Sequence, residues 1–285
     1  MIHLPDISEP VNFLIASGIL FVIIIGRYLL VAGIFYLVFH TWFPDKWQQR
    51  KLSTRRYKSG QLRREIGWSV ITSILFSLAG VLTLILWQNG DTNVYTEINT
   101  YGWWYLPLSL LLSFFIHETY YYWVHRLMHH PAIFRSVHKV HHDSNTTSPF
   151  TAFSFHPLEG LLQAIVLPFT LIIIPLHPIV ILFNLMVMTF SSVINHLNIE
   201  IYPSGFNKHF VGKWLIGATH HSLHHKHFKF NFGLYFTFWD RIGKTESPSF
   251  VKLFETVTSI SNDHTKKIIE APDNGEITEE QHNQR

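Results

Sequence analysis

At 285 residues the chain is long enough for one large domain or two ordinary ones. Apolar residues make up 47% and charged residues only 14%, against roughly a quarter charged in soluble domains, which argues for an integral membrane protein. The formal charge is a small +3, and the absence of cysteine excludes a disulfide framework, a thiolate metal site, an iron–sulfur cluster and a cysteine nucleophile.

About 20 apolar residues cross ~30 Å of hydrocarbon as a helix. Residues 11–39 meet that length, with Arg27 their only charge. The run is too long, and lacks the basic start, for a cleaved secretory signal. The linker 44–64 then carries eight Lys or Arg residues. Residues 66–87 predict a second span. The loop 88–102 holds only Asp91 and Glu97, and residues 103–124 predict a third span. The apolar run 158–196, interrupted by Pro168, Pro175 and Pro178, predicts a helical hairpin turning near 174–179. The excess of basic residues in 44–64 places that linker in the cytoplasm and 88–102 outside. Threading onward puts the segment after 124 and everything after 196 on the cytoplasmic side, so every Lys and Arg except Arg27 lies there. The final residues 262–285 are polar and predict a disordered tail.

Twenty residues are histidine, and they cluster. "HRLMH" places His125 and His129 four apart, about 40° around a helix and one turn along it. "HKVHH" supplies His138, His141 and His142, and "HSLHH" repeats the spacing with His221, His224 and His225. Three nitrogens from one turn and a half suit facial coordination of a metal. The two triplets and the pair give eight donors, about right for two ions. A lone histidine on an apolar face is usually a packed core residue, and an isolated HxxxH pair carries little weight. Two HxxHH triplets and a pair on one predicted side of the membrane point instead to metal binding. Imidazoles alone suit Zn, Cu, Fe or Ni. Zinc hydrolysis is disfavoured because "HETYY" at 117 lacks the second histidine of HExxH. A membrane metal transporter would carry its ligands near the midplane of its spans. A bis-histidine haem cytochrome would need only two imidazoles per ring.

"YYYWVHRLMHHPAIFRSVHKVHHDS" followed by "HHSLHHKHFKFNFG" resembles the fatty acid hydroxylase / sterol desaturase superfamily of membrane-bound, histidine-ligated di-metal oxygenases. The resemblance covers roughly 104–245. It implies an all-α polytopic membrane protein whose cytoplasmic helical cap carries the di-metal site. The implied organisation is an N-terminal transmembrane region 1–102, a catalytic domain 103–250 and a polar tail 251–285. The resemblance assigns His125, His129, His138, His141, His142, His221, His224 and His225 as ligands, and His196 of "INHLN" as one more. It implies two iron ions with O2 as co-substrate, and an oxidoreductase that hydroxylates or desaturates a sterol, fatty acyl or related lipid. No haem-binding electron-donor segment is visible, so a separate donor (cytochrome b-type, ferredoxin or reductase) is expected. Around the ligands, Glu118, His156, Glu159 and Asp143 are candidates to orient imidazoles through their free N–H groups, with Asp240 a further one. For "FHPLE" the alternative is a helix start with Pro157 at its first position. His130, His220 and His227 are expected to face solvent or to support the ligands, and His117 and His177 to be structural. The family's closing WDxxFGT pattern stands here as "WDRIGKT" (239–245), a departure that touches no ligand.

Overall fold

The computed structural model describes residues 5–259. Among them the only strand-like pairings are three isolated bridges, and helices carry the architecture. Helix α1 (Pro10–Tyr36) starts on a proline, whose missing N–H costs nothing in a first turn, and runs on through a π-helical turn, Leu37–Trp42. The short α2 (Pro44–Trp47) leads into the basic linker. Helix α3 (Gln61–Gln88) follows Gly60, which takes the positive φ of 73° that glycine tolerates, and packs along α1. Helix α4 (Tyr105–Met128) precedes two short pieces, α5 (Pro131–Val137) and α6 (Lys139–His142). The apolar run resolves into α7 (Pro157–Ala164), α8 (Val166–Ile173) and α9 (Pro178–Asn195), with the chain reversing at 174–177. Helices α10 (Ala218–His227), α11 (Phe238–Ile242) and α12 (Phe250–Thr258) complete the chain.

Three helices of the described residues are long and apolar enough to cross a membrane: Pro10–Trp42, Gln61–Gln88 and Pro178–Asn195. The predicted third span is not among them. Helix α4 has the length, 24 residues, but not the apolarity. Leu108, Leu111 and Phe115 are exposed along one side, while Ser109, Ser113, His117, Glu118, Tyr122 and His125 are buried on the other. That polar side faces other helices and the site, so the helix is only half lipid-like. The predicted hairpin is present, but its first arm is two short helices joined at Ile165 rather than one. The tail expected from 251 begins as a helix: Phe250 and Phe254 of α12 bury against Leu223. Its predicted disordered part, 262–285, lies outside the described residues.

The basic linker and the segment after the hairpin lie at the same end of the helices. Leu52 N donates to Asn198 O at 3.1 Å, Glu200 N donates to Arg50 O at 3.0 Å, and the Arg50 guanidinium donates to Tyr202 O at 2.7 Å. The loop that follows α6 is held there by Glu65 of α3. Its fully buried carboxylate accepts from Gln61 Nε2 (2.8 Å), Ser144 Oγ (2.6 Å), Ser148 Oγ (2.5 Å) and Thr151 Oγ1 (3.0 Å). Each donor left unsatisfied in a buried site costs ~1–3 kcal/mol. Glu65→Leu is therefore predicted to lower stability by several kcal/mol, about 3 or more, and Glu65→Gln by less, as read from thermal denaturation in detergent. Equal melting of wild type and Glu65→Leu would contradict this role.

Candidate metal centre

The helix ends determine where the histidines go. His125 is one turn from the end of α4 and His129 is its C-cap, so both imidazoles project from the mouth of that helix. His138 sits at the break between α5 and α6, with His141 and His142 in the single turn that follows. His196 caps the C-terminus of α9. His221, His224 and His225 share α10, whose start is fixed by Glu200: its carboxylate accepts from Thr219 N at 2.9 Å.

These nine histidines form two groups. His125, His129, His138, His142 and His224 make one; His141, His196, His221 and His225 make the other. Within each group the donor atoms all lie within 4.8 Å of one another. All are buried except His129, which is half-buried. The triplets do not serve as units, contrary to the facial arrangement expected from spacing. In HKVHH the first and last histidines join one group and the middle one joins the other; HSLHH divides the same way.

The contacts within a group are between Nε2 atoms. In the first, His125 meets His138 at 3.0 Å, and His224 meets His129 and His142, each at 3.1 Å. In the second, His196 meets His141 at 3.1 Å and His221 at 2.9 Å, and His221 meets His225 at 3.1 Å. The protons on these rings follow from what faces the far nitrogen. Nδ1 of His125 donates to Phe232 O (2.8 Å), Nδ1 of His224 to Phe230 O (2.7 Å) and Nδ1 of His196 to Ser192 O (2.7 Å). A carbonyl only accepts, so Nδ1 holds the proton and Nε2 of each neutral ring presents a bare lone pair. Burial first, and neighbouring imidazoles second, hold His138, His141, His142, His221, His224 and His225 well below the ordinary histidine range. Burial pushes His125 and His196 down to about 4. The rings are therefore neutral at pH 7.

The bare Nε2 atoms of His125, His196 and His224 thus face neighbouring ring nitrogens, and a cation placed in each group would take up all of these donors. The spacing fits one. Nitrogens ~2.1 Å from a metal at right angles are separated by ~3.0 Å, and opposed ones by ~4.2 Å. The observed contacts of 2.9–3.1 Å match the first value, and the spread of 4.8 Å admits the second. Four or five imidazoles with no carboxylate are a donor set for a borderline transition metal.

The candidate orienting residues divide. Glu159 Oε2 lies 2.9 Å from His138 Nδ1, in contact with the ring although not aligned as a hydrogen bond. Glu118 touches no histidine of the two groups. Its carboxylate accepts instead from the backbone N–H groups of Leu234 (3.1 Å) and Tyr235 (2.7 Å), holding the loop whose Phe232 carbonyl orients His125. Asp240 grips the same loop, accepting from Phe232 N (2.8 Å) and Gly233 N (3.0 Å). At Gly233 a Cβ would fall 2.7 Å from Phe236 O and 2.8 Å from Glu118 Oε1, so the loop comes this close only without a side chain. His156 is corrected: it is the N-cap of α7, accepting from Leu158 N at 3.3 Å, with Pro157 following as in the alternative. Asp143 is corrected too, because it pairs with Lys139 one turn back at 2.6 Å on the exposed side. His130 is exposed and caps α5, His227 is exposed, and His220 is fully buried beside Asp240 at 3.8 Å rather than facing solvent. His117 bonds Tyr235 Oη and His177 caps α9.

A cavity of about 450 Å³ opens between α1, α3, α4, α8 and α9 and reaches the second histidine group at His196. Its walls are mainly apolar, Leu, Ile, Phe and Val among them, with Phe155, Tyr121 and Ser192 beside the histidines and Trp87 and Leu176 elsewhere along it. The volume is that of a small-molecule site, ~300–1,000 Å³.

Residues 110–245, which hold all nine histidines, match the family model for fatty acid hydroxylase. This segment belongs to the fatty acid hydroxylase family. Among curated proteins the chain is 32% identical over 191 residues to lathosterol oxidase of Mus musculus, covering 66% of this chain and 62% of that protein. It is 30% identical over 190 residues to a Delta(7)-sterol 5(6)-desaturase of Saccharomyces cerevisiae, covering 66% of this chain and 50% of that protein. The match to a Delta(7)-sterol 5(6)-desaturase of Gibberella zeae is 29% over 185 residues, with 65% and 56% covered. The alignments thus span less than two thirds of the length of these relatives. No solved structure matches the chain.

The depressed histidines make the fatty acid hydroxylase segment acid-sensitive. The unfolded chain takes up protons near pH 6.5, while the folded rings resist until about 4 at His125 and His196. Where the unfolded state binds more protons, stability falls as pH falls. The melting temperature of metal-free protein is predicted to drop steadily between about pH 6.5 and about pH 4. A flat profile across that window would show that the rings are not held neutral by folding.

Proposed function

We propose that the chain is a membrane-bound non-haem di-iron oxygenase that hydroxylates or desaturates a lipid. The observation that carries this is the pair of adjacent imidazole groups whose Nε2 atoms converge at 2.9–3.1 Å, at the end of an apolar cavity. Two iron ions, one per group, would be held by His125, His129, His138, His142 and His224, and by His141, His196, His221 and His225. Iron bound there supplies O2 activation, with electrons from a separate donor, for oxidation of an unactivated C–H bond. The protein's own part is positional. Phe230, Phe232 and Ser192 carbonyls fix three rings in the tautomer that leaves Nε2 free. The apolar walls hold the hydrocarbon and keep water from the reacting carbon. The relatives' names make a sterol the first substrate to test, with fatty acyl lipids next.

The sidedness belongs to the same proposal. The basic linker shares an end with the histidines, and positive charge favours the cytoplasmic side, so the site lies at the inner face. Residues 1–102 would then anchor the chain, and 103–250 form the catalytic unit. Transport is disfavoured because the histidines sit at helix ends and in the cap rather than mid-span.

Two experiments test this. Lipid profiles of a deletion strain, a complemented strain and a His141→Ala strain should differ by one hydroxylated or unsaturated lipid, present only with the intact protein. Identical profiles in all three would refute a lipid oxygenase role. Metal analysis separates the two groups. Because the triplets are split, His142→Ala and His141→Ala should each lower bound metal by about one ion per chain, from different sites, and the double variant should bind almost none. If either single variant empties both sites equally, the two-group assignment is wrong.

A further inference from the structure

Arg27 is the sole Lys, Arg, Asp or Glu in the first apolar run, and it lines the cavity. An ionisable group inside a span is costly, ~2.5–3.5 kcal/mol on insertion scales, and normally pairs with another group. Arg27 does not. Its Nε is buried without a partner, and among the described residues nothing accepts a hydrogen bond from its guanidinium. The adjoining residue shows the contrast: Tyr28 Oη donates to Phe150 O at 2.8 Å and accepts from Ser69 Oγ at 3.0 Å. No Asp or Glu of the described residues lines the cavity, so its wall carries one uncompensated positive charge. A side chain that merely snorkelled would carry its head out to the interface. Arg27 instead lines the cavity that reaches His196.

We infer that Arg27 is the anchor for an anionic oxygen, a carboxylate or a phosphate ester, on the lipid that fills this cavity, which narrows the candidates named above to acyl or phosphorylated lipids over a free sterol. A guanidinium offers five donors and no acceptor, and inside an apolar wall only an anion removes its net charge. Holding the head at Arg27 would fix one point of the lipid against the cavity wall and so orient the rest of it relative to His196. The inference rests on the proposal that the cavity holds the substrate, but its test needs neither iron nor turnover.

Purified full-length protein, loaded with zinc and kept in detergent, is titrated with hexadecanoate, hexadecyl phosphate, hexadecanol and lathosterol. Wild type should bind at least one of the two anions about tenfold or more tighter than hexadecanol and lathosterol, ~1.4 kcal/mol per tenfold. Arg27→Gln and Arg27→Leu should lose that preference while binding hexadecanol unchanged, and Arg27→Lys should retain most of it. Which anion wins distinguishes a carboxylate from a phosphate ligand. Equal binding of anions and neutral lipids by wild type, or a preference that survives in Arg27→Leu, would overturn the inference. The wild-type comparison decides the matter even if a variant fails to fold. A failed lipid profile with a preserved anion preference would refute the oxygenase reading alone.

Discussion

The structure depends on one constraint: imidazole nitrogens that would repel are held together at the end of a helical bundle. Nine rings are gathered with their Nε2 atoms turned inward, and at least His125, His196 and His224 have no proton there. Water cannot relieve the conflict, because all but one of the rings are buried. Two cations would give all nine inward Nε2 atoms a common partner. Binding free energy would then be folding free energy, so the cap is assembled around what it binds.

Everything near the site can be read as support for those ring orientations. The chain between Phe230 and Phe236 supplies two carbonyls to histidines while its own N–H groups are taken by Glu118 and Asp240. Two buried carboxylates thus act on the histidines through a loop rather than by touching them. Glu65 does the same for the segment after His142, and Glu200 for the start of α10. In each case a carboxylate satisfies donors of irregular backbone or hydroxyls that would otherwise be orphaned on burial. The site therefore rests on a ring of acids that are not ligands.

Much of this was legible in the sequence, and the failures have physical causes. The histidine spacing, the reversal at 174–177 and the helical class follow from periodicity, proline placement and the resemblance. The polarity of α4 was missed because an average over 103–124 hides a stripe of Ser, His, Glu and Tyr on one face. His156 and Asp143 were misassigned because proximity in sequence says nothing of direction: one turns back to cap a helix and the other reaches Lys139 outside. Glu65 carried a usable signal, an acid at the mouth of an apolar span directly after Arg63 and Arg64. The carbonyls of Phe230, Phe232 and Ser192 carried none, since every residue has a carbonyl.

The division of each HxxHH triplet is the step that links motif to chemistry. Successive residues on a helix are ~100° apart, so positions i and i+4 differ by ~40° while i+3 lies on their other side, ~100° from i+4. Two rings can therefore point to one centre and the third to a neighbouring one. In α10 His221 and His225 face one group and His224 the other; at α6 the pair His138 and His142 serves the group that receives the lone His224, and His141 the group that receives His221 and His225. Each group is thus built from two histidines of one triplet and one of the other, completed by the pair from α4 or by His196. Neither can assemble without both triplets. A motif with three ligands on one face would give each triplet a group of its own; this spacing makes each group draw on both triplets.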